Sequence, residues 1–133
     1  MNGGSTIVIS GATFDDDTFT NDFGTWNVTK AWADCIAGKH GQPWAVDTAE
    51  AMTANAGVEV DEAKVALFMT RPDILKIPGI AVMEKGALWL IEGAHRLNAR
   101  SRLKLPDFPL YVIEEQYEPD YRVLFNGRRK LPE

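Results

Sequence analysis

Residues 78–113 constrain the fold more than any other stretch of the chain. Two apolar runs, Ile80-Ala81-Val82-Met83 and Ala87-Leu88-Trp89-Leu90-Ile91, flank Glu84-Lys85-Gly86. Two strand-forming runs around a short, glycine-containing connection predict a β-hairpin. Glu92-Gly93 then separates the second strand from a helical run that reaches Leu105 and is stopped by Pro106 and Pro109. Leu110-Tyr111-Val112-Ile113 follows as a further strand. Hairpin, helix and strand in this order predict an α+β domain, a small mixed sheet with flanking helices.

The rest of the chain reads less evenly. Thr6-Ile7-Val8-Ile9-Ser10 is β-branched, lies between glycines, and predicts a short opening strand. Residues 12–25 contain Asp15-Asp16-Asp17 and no usable periodicity, and predict a loop. A helix is predicted over 27–36, with Val28, Trp32, Cys35 and Ile36 on one face and Gly38 as its stop. Asp47 is placed to cap a helix over 48–56, and Asp61-Glu62 opens a third helix that ends at Arg71-Pro72. Tyr121 to Phe125 predicts a last strand, followed by a solvated Arg128-Arg129-Lys130 tail.

At 133 residues with 45% hydrophobic and 25% charged residues, the composition fits one domain, residues 1–133. A chain of this size buries about two-thirds of its unfolded surface without disulfides or a structural metal. The lone Cys35 excludes an internal disulfide framework and fits a small core residue in a reducing compartment. No apolar run has membrane-span length and the N-terminus lacks signal-peptide features, so a soluble cytoplasmic protein is expected. The net charge of −5 is uneven: residues 1–63 hold 10 acids and 2 bases, residues 64–133 hold 9 acids and 12 bases. An anion site belongs in the second half, and a DNA-wrapping surface is disfavoured.

The strongest chemical signal is Glu92-Gly93-Ala94-His95-Arg96, at the strand-to-helix junction. Glycine there permits a tight turn and removes a side chain that would block a ligand. The helix start offers free N–H groups and the positive end of the dipole, which suit a phosphate. Arg96 in the first turn opposes that dipole, at a cost of about 0.3–1 kcal/mol unless an anion sits there as well. His95 adds a donor able to act as acid or base near neutral pH. Arg96, Arg100 and Lys104 recur every four positions on one helix face, which is equally the pattern of a solvated face.

Pro78-Gly79-Ile80-Ala81-Val82, the hairpin, Glu92-Gly93-Ala94-His95-Arg96-Leu97-Asn98-Ala99, the helix and Phe108-Pro109-Leu110-Tyr111-Val112-Ile113 together resemble the ParB/sulfiredoxin superfamily. The resemblance covers about residues 72–114 and leaves 1–71 as a family-variable, helical extension. It implies binding of ATP or another nucleotide, with Mg²⁺ as an accompanying ion. By position, Gly93 and Ala94 would offer backbone N–H groups, and His95, Arg96 and Arg100 would face the phosphates. Glu92 would position a metal or polarise a nucleophile, with Asp61 as a second candidate base or metal ligand. Catalytic roles for Glu92, His95 and Arg96 would make the protein an ATPase, a phosphotransferase or a nuclease. Ala94 stands where sulfiredoxins carry cysteine, so sulfinic-acid reduction is not expected. The chain shows no helix-turn-helix reader after the core, so chromosome partition is not expected either.

A different class of function is a non-enzymatic interaction protein, such as a plasmid- or phage-encoded inhibitor with a vestigial nucleotide pocket. Its working surface would be the acidic first half with Trp26, Trp32 and Trp44. DNA cleavage would recruit the bases of 96–104 and 122–130 and bind in a salt-dependent way. Asp15-Asp16-Asp17 suits either Mg²⁺ or solvent. Asp61 and Glu62 suit a helix cap and first turn, and His40 a surface position.

Overall fold

The computed structural model describes residues 18–21, 24–55 and 58–123. A short hairpin, β1 (Thr18–Asn21) and β2 (Gly24–Asn27), leads into helix α1 (Val28–Ile36). Strand β3 (Trp44–Asp47) runs directly into helix α2 (Thr48–Ala54), and α3 (Glu62–Met69) and α4 (Pro72–Leu75) follow. The predicted hairpin is β4 (Gly79–Glu84) and β5 (Ala87–Glu92), then come α5 (Ala94–Arg102) and β6 (Asp107–Ile113). A 3₁₀ turn spans Glu115–Asp120. The α+β class is as expected. Among the described residues no helix is long and apolar enough to cross a membrane.

The main sheet has the order β3-β6-β4-β5. β4 and β5 pair antiparallel, and β6 lies parallel to β4 with Gly79 opposite Leu110 and Val82 opposite Ile113. α5 thus carries the chain from one edge strand, over β4, to the strand on its far side. β4 is the most buried strand because it has neighbours on both edges and helices on both faces: Ile80, Ala81 and Val82 are all at most 2% exposed. Alternation divides its side chains. Ile80 and Val82 join Trp26, Val28, Ala31, Cys35, Ile91, Ile113 and Tyr121 in one core. Ala81 joins Leu97, Phe108, Leu110 and Val112 in another, beneath α2 and α5. A third cluster, Val65, Leu75 and Ala99, ties α3 and α4 to the back of α5.

The caps of α2 and α3 follow the sequence reading, and Asn27, expected as the first helical residue, is the cap of α1. Asn27, Asp47 and Asp61 each accept a backbone N–H from the first turn of α1, α2 and α3. Cys35 is buried, and burial pushes its thiol up to about 11, as suits a core residue.

Three expectations are corrected. Part of the predicted 12–25 loop is the β1–β2 hairpin, held by Phe19 stacked on Trp26 at 6.3 Å and by a Thr20–Thr25 hydroxyl pair. The first half is not only a helical extension, since β3 adds an edge strand to the main sheet through antiparallel pairing with β6. The predicted last strand starts later than expected: Tyr121 ends the 3₁₀ turn, and Arg122 then bridges Trp26 antiparallel, with the Asn27 amide donating to the Tyr121 carbonyl and the Val123 amide to the Thr25 carbonyl, both at 2.7 Å. Residues 6–10, Asp15-Asp16-Asp17, 124–125 and 128–130 lie outside the described residues.

Candidate functional site

The junction between β5 and α5 is shaped by two glycines in contact. Gly93 adopts φ 109°, in the left-handed region that side chains disfavour. A Cβ on Gly93 would lie 2.9 Å from Gly79 Cα, and one on Gly79 would lie 2.7 Å from the Phe108 ring and 2.8 Å from the Glu92 carbonyl. Glycine is thus required for the turn, as expected. The space its missing side chain clears is filled by Gly79 and Phe108.

Beyond Gly93 the first turn of α5 is uncapped by any side chain. The Gly93 carbonyl accepts from the Leu97 amide at 2.8 Å. The amides of Ala94, His95 and Arg96 have no hydrogen-bond partner among the described residues. These three consecutive donors stand at the positive end of the α5 dipole.

The polar side chains around this turn are all engaged. The Glu92 carboxylate accepts from the Trp32 indole N–H at 3.1 Å. His95 Nε2 accepts from the Asp61 backbone amide at 3.0 Å, so the neutral ring carries its proton on Nδ1. Burial, with Lys64 nearby, pulls the His95 pKa below its ordinary value, consistent with a neutral imidazole. Arg96 donates through Nε to the Ile77 carbonyl (3.1 Å) and through Nη2 to the Pro78 carbonyl (3.0 Å), with its guanidinium over the Trp32 ring. Burial also lowers the Arg96 pKa and Glu92 opposes this, but a guanidinium stays charged. Arg100 donates to the carbonyls of Asp107 (2.7 Å) and Leu75 (2.8 Å).

The structure thus brings Glu92, Gly93, Ala94, His95 and Arg96 together around one helix start and places Arg100 one turn further on, against α4 and β6. Asp61 meets His95 through its backbone, and its carboxylate caps α3. Arg102 pairs with Glu62, so of the basic residues of 96–104 only Lys104 has no such intramolecular bond among the described residues. No group of three or more His, Cys, Asp or Glu side chains able to hold a metal occurs among the described residues.

Comparison with protein-family models, with curated proteins and with solved structures gave no match.

Two features escape the sequence reading. Trp32 bridges Glu92 and Arg96 from α1, and its only signal in the sequence is a place on that helix's apolar face. His40 is not a free surface residue: its Nε2 lies 2.6 Å from the Tyr121 hydroxyl, which donates to Asp34, and its ring packs edge-on against Tyr117. Of the three tryptophans of the first half, Trp26 is fully buried and Trp44 is exposed.

Proposed function

We propose that this chain is a nucleotide-binding module with a ParB/sulfiredoxin-like core, which takes the phosphates of ATP or another nucleotide at the start of α5. The observation that carries this reading is the run of three unpartnered amides, Ala94, His95 and Arg96, behind a left-handed glycine. The His95 tautomer adds to it, because an imidazole whose Nε2 is already accepting has a ring N–H on Nδ1 to donate. The order of hairpin, crossover helix and parallel closing strand supports the fold assignment.

The bonding pattern favours binding over turnover. His95 has its acceptor nitrogen occupied and could serve as a base only by giving up the Asp61 amide, while Glu92 and Asp61 each spend one carboxylate oxygen on a protein donor. Arg96 acts as a strut for the 77–78 turn while its charge still adds to the local positive potential. Mg²⁺ would enter as the counter-ion of the nucleotide.

Titration of the ¹⁵N-labelled protein with ATP, CTP and ADP, with and without Mg²⁺, tests this. The amide signals of Gly93 to Leu97 should move first and saturate together. No shift at millimolar nucleotide, or shifts centred elsewhere, would overturn the reading.

The competing class, an interaction protein with a vestigial pocket, is favoured by the engagement of Glu92, His95, Arg96 and Arg100 within the fold. It expects the same titration to be silent.

A further inference from the structure

A cavity of about 260 Å³ lies between α2 and the sheet face beneath α5. It exists because small residues meet there: Ala51 and Ala54 on α2 stand over Ala81 on the central strand β4. Its walls are otherwise apolar, with Leu90 and Phe108 in the floor and the partly exposed Leu88 at the mouth. The volume lies just below the roughly 300–1,000 Å³ of drug-sized ligand sites, which limits an occupant to a small molecule.

Its charge is one-sided. Asp47 and Glu50 are the ionisable residues in the lining, and both are acidic. One Asp47 carboxylate oxygen caps α2, while the Glu50 carboxylate has no hydrogen-bond or ion-pair partner among the described residues. Asp47 and Glu50 stand at the N-terminal end of α2, and Ala54 and Asn55 line the cavity from its partially negative C-terminal end. An anion would meet two carboxylates and no basic side chain in the lining, and a neutral apolar ligand would leave the acidic rim unused.

We propose that this cavity binds a small organic cation, an apolar or aromatic body carrying an ammonium group, with the body on Leu90 and Phe108 and the ammonium against Glu50 and Asp47. The cavity meets α5 at Leu97, past the Ala94–Arg96 amides, and the proposal does not depend on nucleotide binding there.

Calorimetric titration of the intact protein with 2-phenylethylamine, 2-phenylethanol and 3-phenylpropionate tests the proposal. The amine should bind more tightly than the alcohol, and the carboxylate weakest. Asp47→Asn with Glu50→Gln removes both charges while asparagine keeps the helix cap, and should weaken the amine about fivefold without changing the alcohol. Ala54→Trp, at an exposed position, should block all three ligands. Equal binding of amine and alcohol, amine affinity unchanged in the double variant, binding retained in Ala54→Trp, or no binding at the solubility limit would each overturn the proposal.

Discussion

The face of the main sheet under α1 and the C-terminal segment is closed by large side chains and a part-buried charge network, whereas the face under α2 and α5 keeps a cavity and ends in unpartnered amides. On the first face Trp26 is fully buried and its indole donates to Glu118 at 2.6 Å. Arg122 donates to the same carboxylate (2.8 Å) and to Glu84 (2.5 Å), and its guanidinium lies 4.9 Å from the Trp26 ring centroid. Beside this network Tyr121, 1% exposed, joins Asp34 and His40. On the second face Ala81, Ala51 and Ala54 leave volume unfilled. A buried charge network is tolerable only when each member has its partners, so the first face has little freedom to take a ligand. The second face has spare volume and spare donors, which is the physical basis of both ligand proposals.

Breaking the closed face should have the largest effect. Trp26→Ala removes a fully buried ring and one partner of the nearly buried Glu118, and should cost about 3–5 kcal/mol in urea unfolding at pH 7. Trp26→Phe keeps most of the packing and loses the N–H donor, so it should cost clearly less. Equal losses would mean that the hydrogen bond, not the packing, holds this face.

The open face is weaker except at its hinge. Gly93→Ala forces a Cβ to within 2.9 Å of Gly79 Cα at a φ of 109°. Strain and overpacking together should cost about 2–4 kcal/mol by the same measurement. A loss below about 1 kcal/mol would show that the two glycines do not need to touch, and would restore Gly93 as a residue kept for ligand access.

The contrast between the faces also marks what the sequence could reveal. α1, the β4–β5 hairpin, α5 and β6 were legible because apolar periodicity and Gly or Pro stops act locally, within a few residues. β1, β2 and β3 were not, because each has four residues and depends on a partner: β3 is largely exposed and exists by pairing with β6, some 60 positions away. The strand-like composition of Tyr121-Arg122-Val123 agrees with its pairing to β2, but the 3₁₀ turn that takes up its first residue is tied down by the bonds of Trp26 and Arg122 to Glu118, and the Trp26 partner lies outside any local window. The site divides in the same way. The turn at Gly93 is a local property and was read correctly. The partners of its side chains were hidden by distance in sequence, 34 positions for His95 and Asp61 and 60 for Trp32 and Glu92.

The smallest expected effect concerns protons and compares one histidine on each side of the sheet. Burial holds both His40 and His95 below the ordinary value of 6.5, with Lys39 and Lys64 respectively adding to it. The unfolded chain therefore binds these protons more readily than the native state. Their contribution to stability is complete above about pH 6.5 and declines as the pH falls below that value toward the native-state pKa values. The structural consequences differ. At His95 the proton must enter at Nε2, which accepts from the Asp61 amide, so protonation breaks that bond. At His40 the Tyr121 hydroxyl already gives its hydrogen to Asp34, so Nε2 is the donor and a second proton enters at Nδ1 with the bond intact. Glutamine at position 95 can still accept from the Asp61 amide but does not titrate. Unfolding at pH 7.5 and 5.5 should thus show a smaller loss of stability in His95→Gln than in the parent chain, and a smaller one again with His40→Gln added. An undiminished loss in the double variant would place the titrating groups elsewhere and remove the neutral His95 on which the donor role of Nδ1 rests.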